Sequence, residues 1–396
     1  MGKFIDWLDE RLAIKELIKV MLTEYYVPKN INFLWSFGVL LMLVMAILFV
    51  SGIFLLMYYK PDAHLAFDSV NKTIMMDVEY GWLFRHTHAV GASIMFLVLY
   101  IHMARGIYYG SFKKPREIVW ITGYILFVLM AATAFTGYLL PWGQMSYWAA
   151  QTITTLFEKI PFIGPDLVIW IRGNYIVEDA TLTRFFALHV MLLPLLLIIF
   201  TAIHLYAVRI AGSNNEDGIE LTKEEKKKGK GIPFWPVFMA KEFFVMSVFL
   251  IFFFYLVFYN YKFAMDPINF TPADYLQTPM HIYPEWYFLA FYEVLRGFFF
   301  SQNLGLIAFV LSMFIAAFLP WLDKSPIVSG KHRPLYKIAF WIFIADFVFL
   351  TILGKLPPTG LYAWLGFIGS LIYFAFFISL PIISKIEKRK QNGGIE

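Results

Sequence analysis

Two apolar segments of membrane length, Arg85 to Arg105 and Arg184 to Arg209, each carry a histidine near either end: His88 and His102 in one, His189 and His204 in the other. No other feature of the chain restricts its fold as much. At about 1.5 Å and 100° per residue, the 14-residue spacing of the first pair carries the second histidine ~21 Å along a helix axis and ~40° short of a whole number of turns, while the 15-residue spacing of the second pair overshoots by ~60°. Each pair therefore lies near one face of its helix. A lone histidine in a membrane helix is satisfied by a neighbouring carbonyl and needs no ligand. Ionisable groups at membrane depth are costly, however, and matched positions on two helices point to a shared task. Two such helices side by side would stack two metal centres across a bilayer, each gripped by one imidazole from either helix, and haem with two axial histidines is the natural occupant.

The remainder of the 396-residue chain agrees with a membrane setting, being 60% hydrophobic and 20% aromatic. With no cysteine, it excludes thioether-attached haem, cysteine-bound zinc and cysteine-bound iron-sulfur clusters in this chain. Largely uncharged stretches long enough to cross ~30 Å of hydrocarbon fall at about 33–59, 82–105, 118–140, 185–208, 243–262, 303–322, 337–354 and 361–383. Ahead of them, Phe4, Trp7, Leu8, Leu12, Leu17, Ile18 and Met21 recur at helical spacing with charges between, the pattern of an amphipathic helix on a membrane surface and not of a signal peptide. The expected fold is all-α and polytopic: eight transmembrane helices, the first four a dihaem bundle, plus that surface helix. The expected divisions are 1–30 (amphipathic segment), 31–212 (dihaem bundle), 213–242 (linker and inner-site segment) and 243–396 (C-terminal four-helix region).

Charge orients the chain. Lys3, Arg11, Lys15 and Lys19 precede the first span, Lys113, Lys114 and Arg116 follow the second, and Lys223, Lys226, Lys227, Lys228 and Lys230 follow the fourth. Lys324, Lys331 and Arg333 follow the sixth, and Lys385, Lys388, Arg389 and Lys390 the eighth, whereas the alternate connections carry Asp62, Asp68, Asp77, Glu79, Asp166, Glu178, Asp179, Asp266 and Asp274. The positive-inside rule then puts both termini in the cytoplasm, and the net charge of +5 needs no nucleic-acid partner. In this orientation His88 and His189 form an outer pair, and His102 and His204 an inner one.

Gly38 and Gly52 in the first span, and Gly123 and Gly137 in the third, repeat the 14-residue spacing, as expected where a macrocycle lies against a helix. Ordinary small-residue packing explains one such pair, but two with the ligand spacing favour a cofactor. Arg85 and Arg105, with Arg184 and Arg209, flank the histidines and suit haem propionates, although interfacial snorkelling would also account for them. The apolar connection from Gly137 to Gly164 is expected to be non-helical or re-entrant backbone capping a lipophilic pocket. In the fifth connection Pro284-Glu285-Trp286-Tyr287 sets one carboxylate among aromatic rings, where burial would raise its pKa and suit it to accept a proton from a bound quinol. His64, His86, His281 and His332 are read as non-ligands, and Asp346 as paired with a neighbouring polar group.

Arg85-x-x-His88-Ala-x-Gly-Ala-Ser with the second histidine following, GYLLPWGQMSYW, ATLTRFFALH, GSNN, IPFWP and PEWY together resemble cytochrome b of the quinol:cytochrome c oxidoreductase (cytochrome bc1) family, over nearly the whole chain and in one polypeptide, unlike the split cytochrome b6 arrangement. The resemblance implies a bacterial inner-membrane subunit that oxidises quinol at an outer site and passes electrons across the membrane to quinone at an inner site, with proton translocation. It implies two non-covalent b haems: a low-potential outer one on His88 and His189, and a high-potential inner one on His102 and His204. The implied partners are a Rieske-type iron-sulfur protein, a c-type cytochrome and a second copy of the complex. It implies that Glu285 lies in the quinol pocket with Tyr292, Tyr147 and the 143–150 stretch on its wall, and that Lys241 and Glu242 serve the inner pocket. Three departures stand out. The longer His189 to His204 spacing is expected to rotate the inner haem; Arg209 stands where relatives often have a quinone-contacting histidine; and Ala149 replaces a common glycine, its methyl expected to crowd the outer pocket against strobilurins. A haem-bearing membrane anchor for a dehydrogenase or hydrogenase and a proton-relay transporter are the other classes, separable by dihaem b absorption and by electron delivery to a cytochrome c.

Overall fold

The computed structural model describes residues 2–392. The side chains of Lys3, Leu17, Met21 and Lys390, named above, lie outside the described residues. Among the described residues, eight helices are long and apolar enough to cross a membrane: Phe33–Leu56, Gly81–Tyr108, Glu117–Leu139, Asp179–Ala211, Phe234–Tyr259, Gln302–Leu322, Pro334–Leu353 and Leu361–Arg389. Each contains or overlaps one of the expected stretches. In hydrocarbon a backbone must satisfy its own N–H and C=O groups, which leaves an apolar run of this length one form, the helix. Side chains such as Ile251 and Phe244, 75% and 71% exposed, cover the outside as a lipid solvent requires.

The first span packs along the second and the third along the fourth, so that the second and fourth face each other across an interior gap. The fifth span lies against the other side of the second. A separate aromatic core joins the second and third spans to the C-terminal helices through residues such as Phe96, Phe127, Phe291, Phe343 and Phe377. The fourth span stops at Gly212, whose φ of 75° only glycine adopts without cost.

Three local features differ from the sequence expectations. The N-terminal amphipathic helix is two pieces, Gly2–Leu12 and Ile14–Ile18, broken at Ala13 (φ 47°), where the Asp9 carboxylate accepts the Lys15 N–H at 2.6 Å. Its apolar residues Phe4, Trp7, Leu12 and Ile18 are exposed. The connection from Gly137 to Gly164 is not irregular but continues into a helical hairpin, Gln144–Leu156 and Gly164–Arg172. It closes on a buried Arg172, which donates to Thr154 Oγ1, Thr155 Oγ1 and the carbonyls of Gln151 and Tyr175 within 2.7–2.9 Å. Lastly, the fourth span contains a π-helical turn at Leu188–Leu192. Pro194, just after it, offers no N–H and crowds the carbonyl four residues back, which opens the helix there.

At the other end of the bundle, strands Tyr26–Pro28 and Gly231–Pro233 pair antiparallel, tying the N-terminal segment to the linker before the fifth span. Nearby, Arg333 is fully buried between Asp323 (2.6 Å) and Glu387 (2.9 Å), and Lys113 reaches Asp323 at 3.1 Å. That cluster joins the connection after the second span to the sixth, seventh and eighth.

Candidate functional site: paired imidazoles and an outer cavity

The second and fourth spans hold His88 and His189 with ring centres 6.1 Å apart and planes at 79°. Metal–nitrogen bonds of about 2 Å on either side of one ion put two imidazole centres about 6 Å apart, so the spacing suits an axial pair. The hydrogen bonds fix which nitrogen faces the gap. His189 Nδ1 lies 2.8 Å from the Thr133 carbonyl, which can only accept, so Nδ1 carries the proton and Nε2 keeps its lone pair. His88 Nδ1 lies 3.0 Å from Ser51 Oγ and His204 Nδ1 3.1 Å from Thr122 Oγ1. Both hydroxyls already donate to helix carbonyls, those of Ile47 and Ile118, and therefore accept from the imidazoles. Three rings thus present a free Nε2, oriented as metal-binding histidines are by a partner on the other nitrogen. His102 differs, its Nδ1 being buried without a partner among the described residues.

Each of these histidines is backed by a glycine. A methyl added at Gly38 would meet His102 at 3.4 Å, at Gly52 His88 at 3.2 Å and at Gly123 His204 at 3.1 Å, and at Gly137 it would overlap the His189 ring. The four glycines therefore clear room for the imidazoles themselves, closer in than the macrocycle contact that their spacing alone suggested. The π turn accounts for the longer spacing in the fourth span. A single wide turn absorbs one residue, so 15 positions advance about as far around the axis as 14 in a regular helix. The expected rotation of the inner site has no basis in this geometry.

An apolar cavity of about 280 Å³ runs from this outer pair toward the loop that holds Glu285, and Gly52, Arg85, His88, Gly137, Tyr138 and His189 line it. Its far wall is Ala264, Met265, Asp266, Asn269, Glu285 and Tyr287. The aromatic neighbours of Glu285 lock its segment to the second span: Trp286 Nε1 donates to Ser93 Oγ at 2.6 Å, Tyr287 stacks on Phe96 at 4.0 Å, and the Tyr100 hydroxyl donates to the Tyr287 carbonyl. Burial pushes the Glu285 carboxyl up to about 7; the Tyr138 hydroxyl opposes the rise, the charge of Asp266 adds to it, and Arg85 and Lys355 oppose it.

Several expected site residues lie elsewhere. Tyr147 packs against Trp142 and Trp148 in the hairpin core and does not reach the cavity; Tyr138, which sequence reading passed over, is the tyrosine that faces Glu285. Ala149 and the rest of 143–150 are absent from the cavity wall, so the Ala149 methyl has nothing there to crowd. Tyr292 holds the approach to the loop instead, donating to the Ile282 carbonyl at 3.1 Å. Arg85 lines the cavity, and Arg105 stacks over Trp35 with its Nε buried and unpartnered among the described residues, whereas Arg184 is exposed and bonds the Trp170 carbonyl. Asp346 is buried, but its Oδ2 has no partner among the described residues, because the helix opposite presents Gly369. His86 stacks on Tyr261 at 3.7 Å, facing the fifth span and not the cavity.

At the inner end Glu242 is buried and accepts the Ser36 hydroxyl at 2.8 Å, while Lys241 is exposed. Arg209 lies between the rings of Tyr25 and Phe234, each 4.2 Å from its guanidinium carbon, with Nη1 buried and unpartnered among the described residues. The strand pair just beyond holds both rings in place, and Phe234 N–H donates to the Tyr25 carbonyl at 2.8 Å.

Known proteins share this architecture. The cytochrome b/b6/petB family profile matches residues 22–212, and that of cytochrome b(C-terminal)/b6/petD matches 272–374. Cytochrome b of Allochromatium vinosum is 44% identical over 98% of this chain and 96% of its own length, and that of Rickettsia typhi 46% over 97% and 95%. A solved chain of a hyperthermophilic respiratory Complex III, 43% identical, superposes with a TM-score of 0.92 over 97% of this chain and 99% of its own. With eight spans in one polypeptide and both halves matched in order, the chain belongs to the cytochrome b family, the membrane core of respiratory Complex III.

Proposed function

We propose that the chain is the dihaem subunit of a bacterial bc1-type complex that oxidises quinol at an outer site and reduces quinone at an inner one. His88 and His189 would hold the outer haem, and His102 and His204 the inner. When bound, the two haems supply the one-electron carriers between the quinone sites, a chemistry that no side chain here provides. The observation that carries this reading is the set of imidazoles backed by glycine, three with Nδ1 committed to a partner and Nε2 left for a metal.

The chain's own work is binding, orientation and proton handling. Glu285, with a pKa near neutral, is poised to take a proton from a quinol hydroxyl in the outer cavity. Arg85 and Arg105 suit the haem carboxylates. Glu242 and Arg209 serve the inner quinone, Arg209 as a fixed cation where an imidazole would titrate. A Rieske-type iron-sulfur protein takes one electron from each quinol and a c-type cytochrome receives it; the complex is a homodimer in the bacterial inner membrane, with both termini of this chain cytoplasmic. Moving one charge against ~100 mV stores about 2.3 kcal/mol. Redox titration of the purified complex, with its quinone extracted and identified, tests the reading: two b components are expected, and one or none overturns it.

A further inference from the structure

The outer cavity contains a second carboxyl for which the quinol chemistry above has no use. Asp266 lies on the same wall as Glu285 and Tyr287, at the start of the short turn Pro267–Phe270. Its Oδ1 accepts the Ile268 N–H at 2.9 Å and caps that turn. Its Oδ2 accepts the Tyr283 hydroxyl at 2.7 Å. Tyr283 stands two residues before Glu285 with Pro284 between, so one rigid segment carries both groups. Over the Tyr283 ring, 5.6 Å from its centre, lies the ammonium of Lys355, an exposed residue. The polar groups thus step outward, from Glu285 inside to half-buried Asp266 and then to the exposed surface.

Glu285 can accept a second proton only after it has lost the first. Among the described residues that line the cavity, Asp266 is the carboxyl besides Glu285, and Tyr283 is no carrier: burial and its bond to Asp266 push its hydroxyl up to about 12, so it stays a donor that holds Oδ2 in place. We propose that Asp266, positioned by Tyr283, is the next proton station outward from Glu285 and hands quinol protons to the outer aqueous phase. The step is a proton transfer alone: the Glu285 O–H breaks, Glu285 returns to carboxylate, Asp266 gains the proton and then releases it to water. No electron moves. The charged or titratable groups around Asp266 are Glu285, Tyr138 and Tyr283, with Lys355 over the Tyr283 ring. The inference rests on Glu285 being the quinol base.

Asp266→Asn in the assembled complex removes the charge and keeps one oxygen to accept the Ile268 N–H, while its amide N–H2 faces the Tyr283 hydroxyl, which then accepts. Quinol-dependent turnover should fall about tenfold. The low-pH limb of the rate should move to lower pH, because the neighbouring charge no longer favours the protonated form of Glu285. Asp266→Glu should restore most of the rate, and Asp266→Asn should add no further loss to Glu285→Gln. Tyr283→Phe, which leaves the turn cap intact, should slow turnover severalfold and serves if Asp266→Asn does not assemble. Unchanged turnover and pH limb in Asp266→Asn, losses that multiply with those of Glu285→Gln, or a wild-type rate in Tyr283→Phe would overturn the relay. If instead Glu285→Gln itself turns over normally, the reading of Glu285 as base falls first.

Discussion

Gly137 and His189 approach so closely that no side chain fits between the third span and the imidazole. At Gly38 the equivalent methyl would meet His102 at 3.4 Å, an ordinary contact. Gly137→Ala should therefore displace its histidine and lose about half the haem per chain, while Gly38→Ala should retain both. Haem-to-protein ratios of the purified complexes check the contrast, and equal haem content in the two variants would contradict it.

His102→Leu should remove one of two b absorption components and leave the other, since His88 and His189 sit at the opposite ends of the same two helices. Intact spectra in this variant would end the assignment of the imidazoles as ligands.

Glu285 must be ionised to accept a proton, and its carboxyl is raised to about 7. Outer-site oxidation should rise with pH through about 7 and level off above it. Glu285→Gln should lower the rate by about 100-fold or more and flatten that limb, with both haems retained. A pH–rate profile unchanged by the substitution would argue for another base.

The spans and ligand positions were legible because membrane helices announce themselves locally: a run of apolar residues, and a period that puts His88 and His102 on one face. The outer pocket was less so. Tyr138 and Tyr147 stand nine positions apart in one aromatic stretch, and nothing in that stretch reveals that a hairpin closed by Arg172 turns one into its own core and leaves the other against the cavity. Asp346 misled for a related reason. Whether a buried carboxyl finds a partner depends on what the opposite helix presents, here Gly369. The pairing of Asp323, Arg333 and Glu387 joins residues up to 64 positions apart in the chain, which no local pattern specifies.

Burial alone would raise the Asp323 carboxyl, but the bonds and charges of Arg333 and Lys113 outweigh it and hold it below its usual value. A depressed carboxyl contributes stability that is present above its unfolded value and is lost as pH falls through the folded one. Arg333→Met would remove the cation shared by Asp323 and Glu387, leaving Asp323 to Lys113, and should cost about 3–5 kcal/mol, more at neutral pH than in acid. Thermal unfolding of the complex across pH measures this, and a destabilisation independent of pH would contradict it.

Arg209 between Tyr25 and Phe234 gives the inner site a permanent cation. Arg209→Gln should slow quinone reduction there severalfold and leave quinol oxidation at the outer site unchanged. Haem re-oxidation, followed with the outer site blocked, separates the two.

The wide turn at Leu188–Leu192 gives the fourth helix one spare link on its outer side. Shortening the chain by one residue inside that link would leave an unbroken α-helix with His189 and His204 still aimed the same way. The same deletion among residues 196–203 would swing the lower imidazole by about 100° away from its counterpart. A one-residue deletion in this helix is thus tolerated at one place and ruinous a turn or two below it.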